Sequence, residues 1–111
     1  MISFEHVENL IDKYIAEELR PVAEKMKADM VAAVHDKRFP LAVQLIVDTN
    51  SCTTSQFQKK FRIGYGKAAI FIDVMEALGM VSKIRAKSNS TKIQQRQILP
   101  PAKVYLEQLF N

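Results

Sequence analysis

Residues 59 to 82, KKFRIGYGKAAIFIDVMEALGMVS, open on a cluster of positive charge, pass two glycines and continue as a helical pattern with apolar residues on more than one face. A helix that is apolar all round has to be enclosed, whereas one with a polar side belongs at a surface. At about 100° per residue, Ala68, Phe71, Ile72, Met75 and Leu78 form a core-facing arc, and Ile70, Val74 and Ala77 fall on the opposite side, which is also apolar. Two uses of this helix stay open: reading a nucleic-acid groove, or packing against protein.

The flanking turns set the element types. NSCTTSQ, residues 50 to 56, is rich in capping residues, and Thr54 or Ser55 is expected to cap a short helix over SQFQKKF. Gly64 and Gly66 are expected to reverse the chain before a second helix from about Tyr65 to Leu78, closed by Gly79. LAVQLIVDT, after Pro40, holds Leu41, Val43, Leu45, Ile46 and Val47, a density that fits a mostly buried helix and that pattern alone does not separate from a buried strand. MVSKIRAKSNSTKIQQRQIL has two stretches of strand character around the polar turn KSNST, which together signal a hairpin.

Two short helices joined by a glycine-containing turn make a helix-turn-helix. A hairpin placed directly after the second helix is a wing. The expected fold class is therefore mainly α with a small β-hairpin: a winged helix-turn-helix over residues 39–111, preceded by an N-terminal helical arm over residues 1–38. In the arm, Phe4, Val7, Leu10, Ile11, Tyr14 and Ile15 recur at helical spacing, with Ser3 as a cap, and the pattern resumes as Leu19, Val22, Met26, Met30, Val31 and Val34. Proline removes a backbone donor, so a kink or break is expected at Arg20-Pro21, with Pro21 starting the second helix. Neither helix buries its stripe alone, so the arm packs on the rest of the chain or, as a dimerisation element, on a second copy.

Several function classes are set aside on the same grounds. With 111 residues, 48% of them hydrophobic and few glycines and prolines, the chain is expected to be one globular unit. No apolar run approaches the roughly 20 residues that cross a bilayer, and MISFEHVENL lacks the basic-then-apolar order of a signal peptide, so a cytoplasmic protein is expected. The single cysteine, Cys52, has no partner for an internal disulfide, which agrees with a reducing compartment. GYGKAA is no phosphate loop, because Phe61 stands where the first glycine is required and Ala68 where Ser or Thr must follow Lys67. His6, His35 and Cys52 lie apart and form neither a catalytic set nor a metal site. No enzymatic activity, cofactor or small-molecule substrate is expected.

Charge separates the two halves. Residues 1–40 hold 6 Lys/Arg against 8 Asp/Glu, whereas residues 41–111 hold 10 against 4. The second part, at net +6, is the one that attracts a polyanion.

FQKKFRIGYGKAAIFIDVMEALGMVS resembles the gamma domain of the FtsK and SpoIIIE DNA translocases, through its basic pair, FRIGY, the double alanine and ME..G.VS in that order, and RQIL followed by Pro100 resembles that domain's closing strand. The likeness covers about residues 39 to 100. It implies a winged helix that recognises short oriented DNA sequences and directs a translocase motor absent from this chain. Two positions depart from that pattern: Gly66-Lys67 stands where the family carries Asn-Arg after GY, and Ile70 where an arginine follows the double alanine.

The reading that follows is a non-enzymatic protein that binds double-stranded DNA. Lys59, Lys60, Arg62, Tyr65 and Lys67 are expected at the start of the recognition helix, and Lys83, Arg85, Lys87, Lys92 and Arg96 on the wing, where basic side chains release counterions from the phosphate backbone. Isoleucine does not make arginine's bidentate contact to guanine, so the family's G-rich preference is not carried over at Ile70. The alternative is an interaction module that docks protein on Ile70, Val74 and Ala77, with the arm as a homodimer element.

Overall fold

The computed structural model describes residues 4–18, 23–82 and 96–110. Six helices are found among them: α1 (Phe4–Glu18), α2 (Ala23–His35), α3 (Arg38–Thr49), α4 (Thr54–Phe61), α5 (Tyr65–Ala77) and α6 (Pro100–Phe110). The mainly-α class holds. Among the described residues there is no strand, and β structure is limited to an antiparallel bridge between Val81 and Ile98. Around it the Ser82 amide donates to the Gln97 carbonyl at 3.0 Å and the Leu99 amide to the Met80 carbonyl at 2.8 Å. The body of the expected hairpin falls on residues 83–95, outside the described residues.

Local chemistry accounts for the helix ends, with three departures from expectation. Helix α3 starts at Arg38, so Pro40 lies in its first turn, where a missing amide costs little. The cap of α4 is Thr53 rather than Thr54 or Ser55: its Oγ1 accepts from the Gln56 amide at 3.2 Å, and Gln56 Oε1 accepts from the Thr53 amide at 2.8 Å, a reciprocal capping box. The left-handed residue between α4 and α5 is Arg62, at φ 53°, whereas Gly64 is extended and Gly66 is helical. Gly79 behaves as expected. At φ 74° it lets the Met80 amide reach the Met75 carbonyl at 2.8 Å while its own amide reaches Glu76, a Schellman closure of α5. Helix α6 was not anticipated, although Pro100 and Pro101 in its first turn suit a helix start.

Helix α5 runs through the middle of the molecule. On one side Phe71 meets the edges of Phe39 (α3) and Phe57 (α4), with ring centroids 6.0 and 6.3 Å away, and Phe39 in turn meets Tyr105 (α6) at 5.8 Å. Each such edge-to-face pair adds about 0.5–1.5 kcal/mol to the area buried. On the other side lie α2, the most extensive neighbour of α5, and α1. Val7, Ile11, Tyr14 and Ile15 of α1 and Met30 and Ala33 of α2 are buried in the same core cluster. The arm's apolar stripe is thus covered within the chain. Full burial of a Val, Ile or Met side chain is worth about 1.5–3 kcal/mol, so this packing outweighs the exposed Lys27–Asp12 ion pair at 2.9 Å that also joins α1 to α2.

Val74 shows how complete the enclosure is. It stands three residues after Phe71, about 60° round the helix, and is 0% exposed. We expect Val74→Ala to lower the unfolding free energy by about 1.5–2 kcal/mol in urea denaturation. A loss below about 0.5 kcal/mol would be that of a surface residue, and would show that this part of α5 is not enclosed in solution.

Candidate nucleic-acid interface

Four exposed cations lie close together in sequence where α4 hands over to α5. Lys59 and Lys60 stand in the last turn of α4, where a cation also offsets the negative end of the helix dipole. Arg62 forms the turn, while half-buried Ile63 packs against the core and anchors it. Tyr65, 66% exposed, and Lys67 follow in the first turn of α5. Lys59, Lys60, Arg62 and Lys67 are all exposed, and among the described residues no carboxylate pairs with the first three. Gly64, which precedes α5, carries no side chain to cap its amides, so the basic cluster surrounds an open helix N-terminus.

Lys67 is different. Its ammonium lies 3.2 Å from Asp36 Oδ2, in the α2–α3 turn. The same carboxylate accepts from Arg38 three times: from the backbone amide at 2.9 Å, from Nε at 2.9 Å and from Nη2 at 2.8 Å. These bonds, the Arg38 guanidinium first, hold the Asp36 carboxyl well below the usual carboxylate range. Asp36 therefore ties the end of the arm to α3 and to the first turn of α5. The Asp-x-Arg spacing was a local signal for part of this; the link to Lys67, 31 residues on, had none.

Beyond Lys67, α5 offers little surface: no side chain from Ala68 to Ala77 is exposed. The expected apolar outer face is covered by the chain's own arm, which corrects the reading of Val74 as an outward residue. Ile70 is half-buried and borders a hollow of about 260 Å³ with Asp29, Ala32, Ala33, Asp36 and Lys67, and Ala77 is half-buried too. A helical wheel ranks side chains by angle; it does not say which neighbour closes over each angle.

A second polar knot closes the far end of α5. The Tyr14 hydroxyl of α1 donates to the Glu76 carboxylate and lies 3.5 Å from Asp73 Oδ1. Arg96 Nη1 donates to the same Glu76 carboxylate and to the Ser82 carbonyl at 3.1 Å. The Arg96 side chain is only 15% exposed, so the expectation of a phosphate-gripping Arg96 is corrected: its charge is used inside the fold. Tyr14 and Glu76 are 62 positions apart, and nothing local in the sequence announces their bond. Lys83, Arg85, Lys87 and Lys92 lie outside the described residues. Buried Cys52 has its thiol pushed up to about 11 by desolvation, which leaves it uncharged and unreactive at neutral pH. Among the described residues no three His, Cys, Asp or Glu side chains group so as to hold a metal, and no helix is long and apolar enough to cross a membrane.

Asp36 supplies a pH test. Its carboxyl is depressed in the folded state, so its stabilisation is present above the unfolded value near 4 and is lost as pH falls toward the folded one. Asp36→Asn is expected to cost about 1–2 kcal/mol at pH 7 and to flatten the fall of Tm between about pH 4 and 2. Parallel Tm–pH curves for the two proteins would show that Asp36 is not so held.

The Ftsk gamma domain model matches residues 33–99, from the last turn of α2 to the end of the Val81–Ile98 bridge region. The chain is 37% identical over 84 residues to the DNA translocase FtsK of Halalkalibacterium halodurans, an alignment that takes in 72% of this chain and 11% of that one. It is 34% identical over 84 residues to the DNA translocase SpoIIIE of Bacillus subtilis, with the same coverage, and 48% identical over 50 residues to the DNA translocase SftA of that organism, covering 45% of this chain and 5% of that one. The chain thus spans about a tenth of the length of the first of these relatives. With the matched region holding α3, α4, α5 and the bridge that follows them, this chain belongs to the Ftsk gamma domain family.

Proposed function

We propose that the chain is a non-enzymatic DNA-binding module: an arm of residues 1–38 on a winged helix of residues 39–111, gripping duplex DNA through the corner between α4 and α5. The observation that carries this reading is the exposed set Lys59, Lys60 and Arg62, free of carboxylate partners among the described residues, beside the uncapped start of α5. Helix N-termini and lysine or arginine side chains are the groups that hold phosphate. Relatives that are DNA translocases supply the polymer. The Val81–Ile98 bridge, directly after α5, supports a wing over residues 83–95, on which Lys83, Arg85, Lys87 and Lys92 would extend the grip. Cytoplasmic placement belongs to the same proposal.

Two local costs at this corner support a functional surface. Arg62 holds a left-handed backbone that glycine adopts without penalty, at a cost of about 1 kcal/mol. Gly66 sits inside a helix with open space where a Cβ would stand, although alanine there would favour the helix by about 0.8–1 kcal/mol. Residues that break local preference without a packing reason belong to sites, here a basic side chain kept and a bare backbone left open to a phosphate chain.

Fluorescence anisotropy with labelled duplexes tests the reading. The double variant Lys59→Ala, Lys60→Ala is expected to weaken binding by about tenfold on every sequence and to reduce the slope of log affinity against log salt by about 2; an unchanged slope would remove this corner from the interface. Arg62→Gly separates folding from binding, because it is expected to raise stability by about 0.5–1 kcal/mol while it lowers DNA affinity. A variant that is more stable and binds as before would leave Arg62 without a role at the DNA.

A further inference from the structure

We infer that α5 reads no bases in this chain and that the duplex is held through its phosphates whatever its sequence, an inference that rests on the DNA-binding reading above. A groove-reading helix presents a row of side chains along one exposed face, with hydrogen-bond donors and acceptors matched to base edges. Here that row is missing. From Ala68 to Ala77 every side chain is buried or half-buried, Val74 fully so, with α2 and α1 packed on the helix.

The polar groups of α5 are already engaged. Glu76 accepts from Tyr14 and Arg96, and Asp73 lies against Tyr14. Both are carboxylates, which offer no donor to the guanine edge and repel phosphate as the helix approaches a groove. In the first turn Gly66 has no side chain, and Lys67 is held by Asp36, which Arg38 fixes in place. Tyr65 alone remains exposed and unpaired on α5 among the described residues. One phenol does not distinguish a site.

Swinging the arm aside does not restore a reading face. It would uncover Val7, Ile11, Tyr14, Ile15 and Met30 of the arm together with Ile70, apolar surface that a charged groove does not match. The arm brings charge of the wrong sign as well, since Asp29 and Asp36 border the hollow beside Ile70. Among the described residues around α5, what is left to meet DNA is the corner of Lys59, Lys60 and Arg62, whose flexible cations suit phosphate oxygens.

The test is repeated selection by the intact chain from a random duplex pool at moderate salt, followed by anisotropy on single duplexes of contrasting composition. The expected result is no enriched motif, affinities within about threefold of one another, and a steep salt dependence shared by all of them. A selected motif bound about tenfold or more tightly than the pool would overturn the inference. Ile70→Ala provides a second check: affinity for every duplex is expected to stay within about twofold, whereas a loss confined to some sequences would place Ile70 against a base and overturn it likewise. No binding to the pool even at low salt is a separate outcome, which overturns the DNA-binding reading and this inference with it.

Discussion

Beyond its first turn, and apart from Asp73 and Glu76, helix α5 presents apolar side chains on most of its circumference, and the rest of the molecule is arranged to keep water from them. Phe39 and Phe57 close one side through α3 and α4 against Phe71, and the arm helices α1 and α2 pack on another. Neither cover suffices alone, because a helix with apolar residues on more than one face has no orientation in which a single neighbour hides them all. The arm is therefore part of the fold's energetics. Its stripe of Val7, Ile11, Tyr14 and Ile15 and the outer side of α5 each lack a cover until they meet.

Polar ties sit at the two ends of this sandwich. Asp36 joins the arm's end to α3 and to the first turn of α5, and Glu76 joins α1, α5 and the base of the Val81–Ile98 bridge. Apolar packing sets how tightly the layers press together but leaves their sliding and rotation soft, whereas charge-assisted hydrogen bonds are short and directional. Together the two ties fix the register of the arm on α5. They also engage charge: Lys67 and Arg96 face carboxylates, so the cations beside the start of α5 that have no carboxylate partner among the described residues are Lys59, Lys60 and Arg62.

The same arrangement bears on the family relationship. The chain departs from the gamma-domain pattern at Gly66-Lys67 and Ile70, and of these Lys67 meets the Asp36 turn while Ile70 borders the hollow under α2. An arginine at Ile70 would have to enter a space bordered by Ala32 and Ala33. Isoleucine fits that neighbourhood. The local costs at Arg62 and Gly66 lie elsewhere, at the corner that no part of the described chain covers.

Much was determined by the sequence itself: the helical stripes of α1 and α5, the left-handed Gly79 and the family relationship all follow from spacing or from short contiguous strings, whereas the break expected at Arg20-Pro21 lies outside the described residues. Such features depend on neighbours within a turn or two, so they are legible in one dimension. Some local details still eluded it, because Thr53, Thr54 and Ser55 are equally able caps and because a left-handed arginine is tolerated only when surrounding packing over-determines the turn. Tertiary structure alone decided that the arm lies over α5, that Val74 faces inward and that Arg96 turns to Glu76 and not to solvent. Those outcomes depend on which of several apolar surfaces meet and on hydrogen bonds between residues up to 62 positions apart. An apolar stripe specifies that it must be covered; shape and geometry in three dimensions choose the cover.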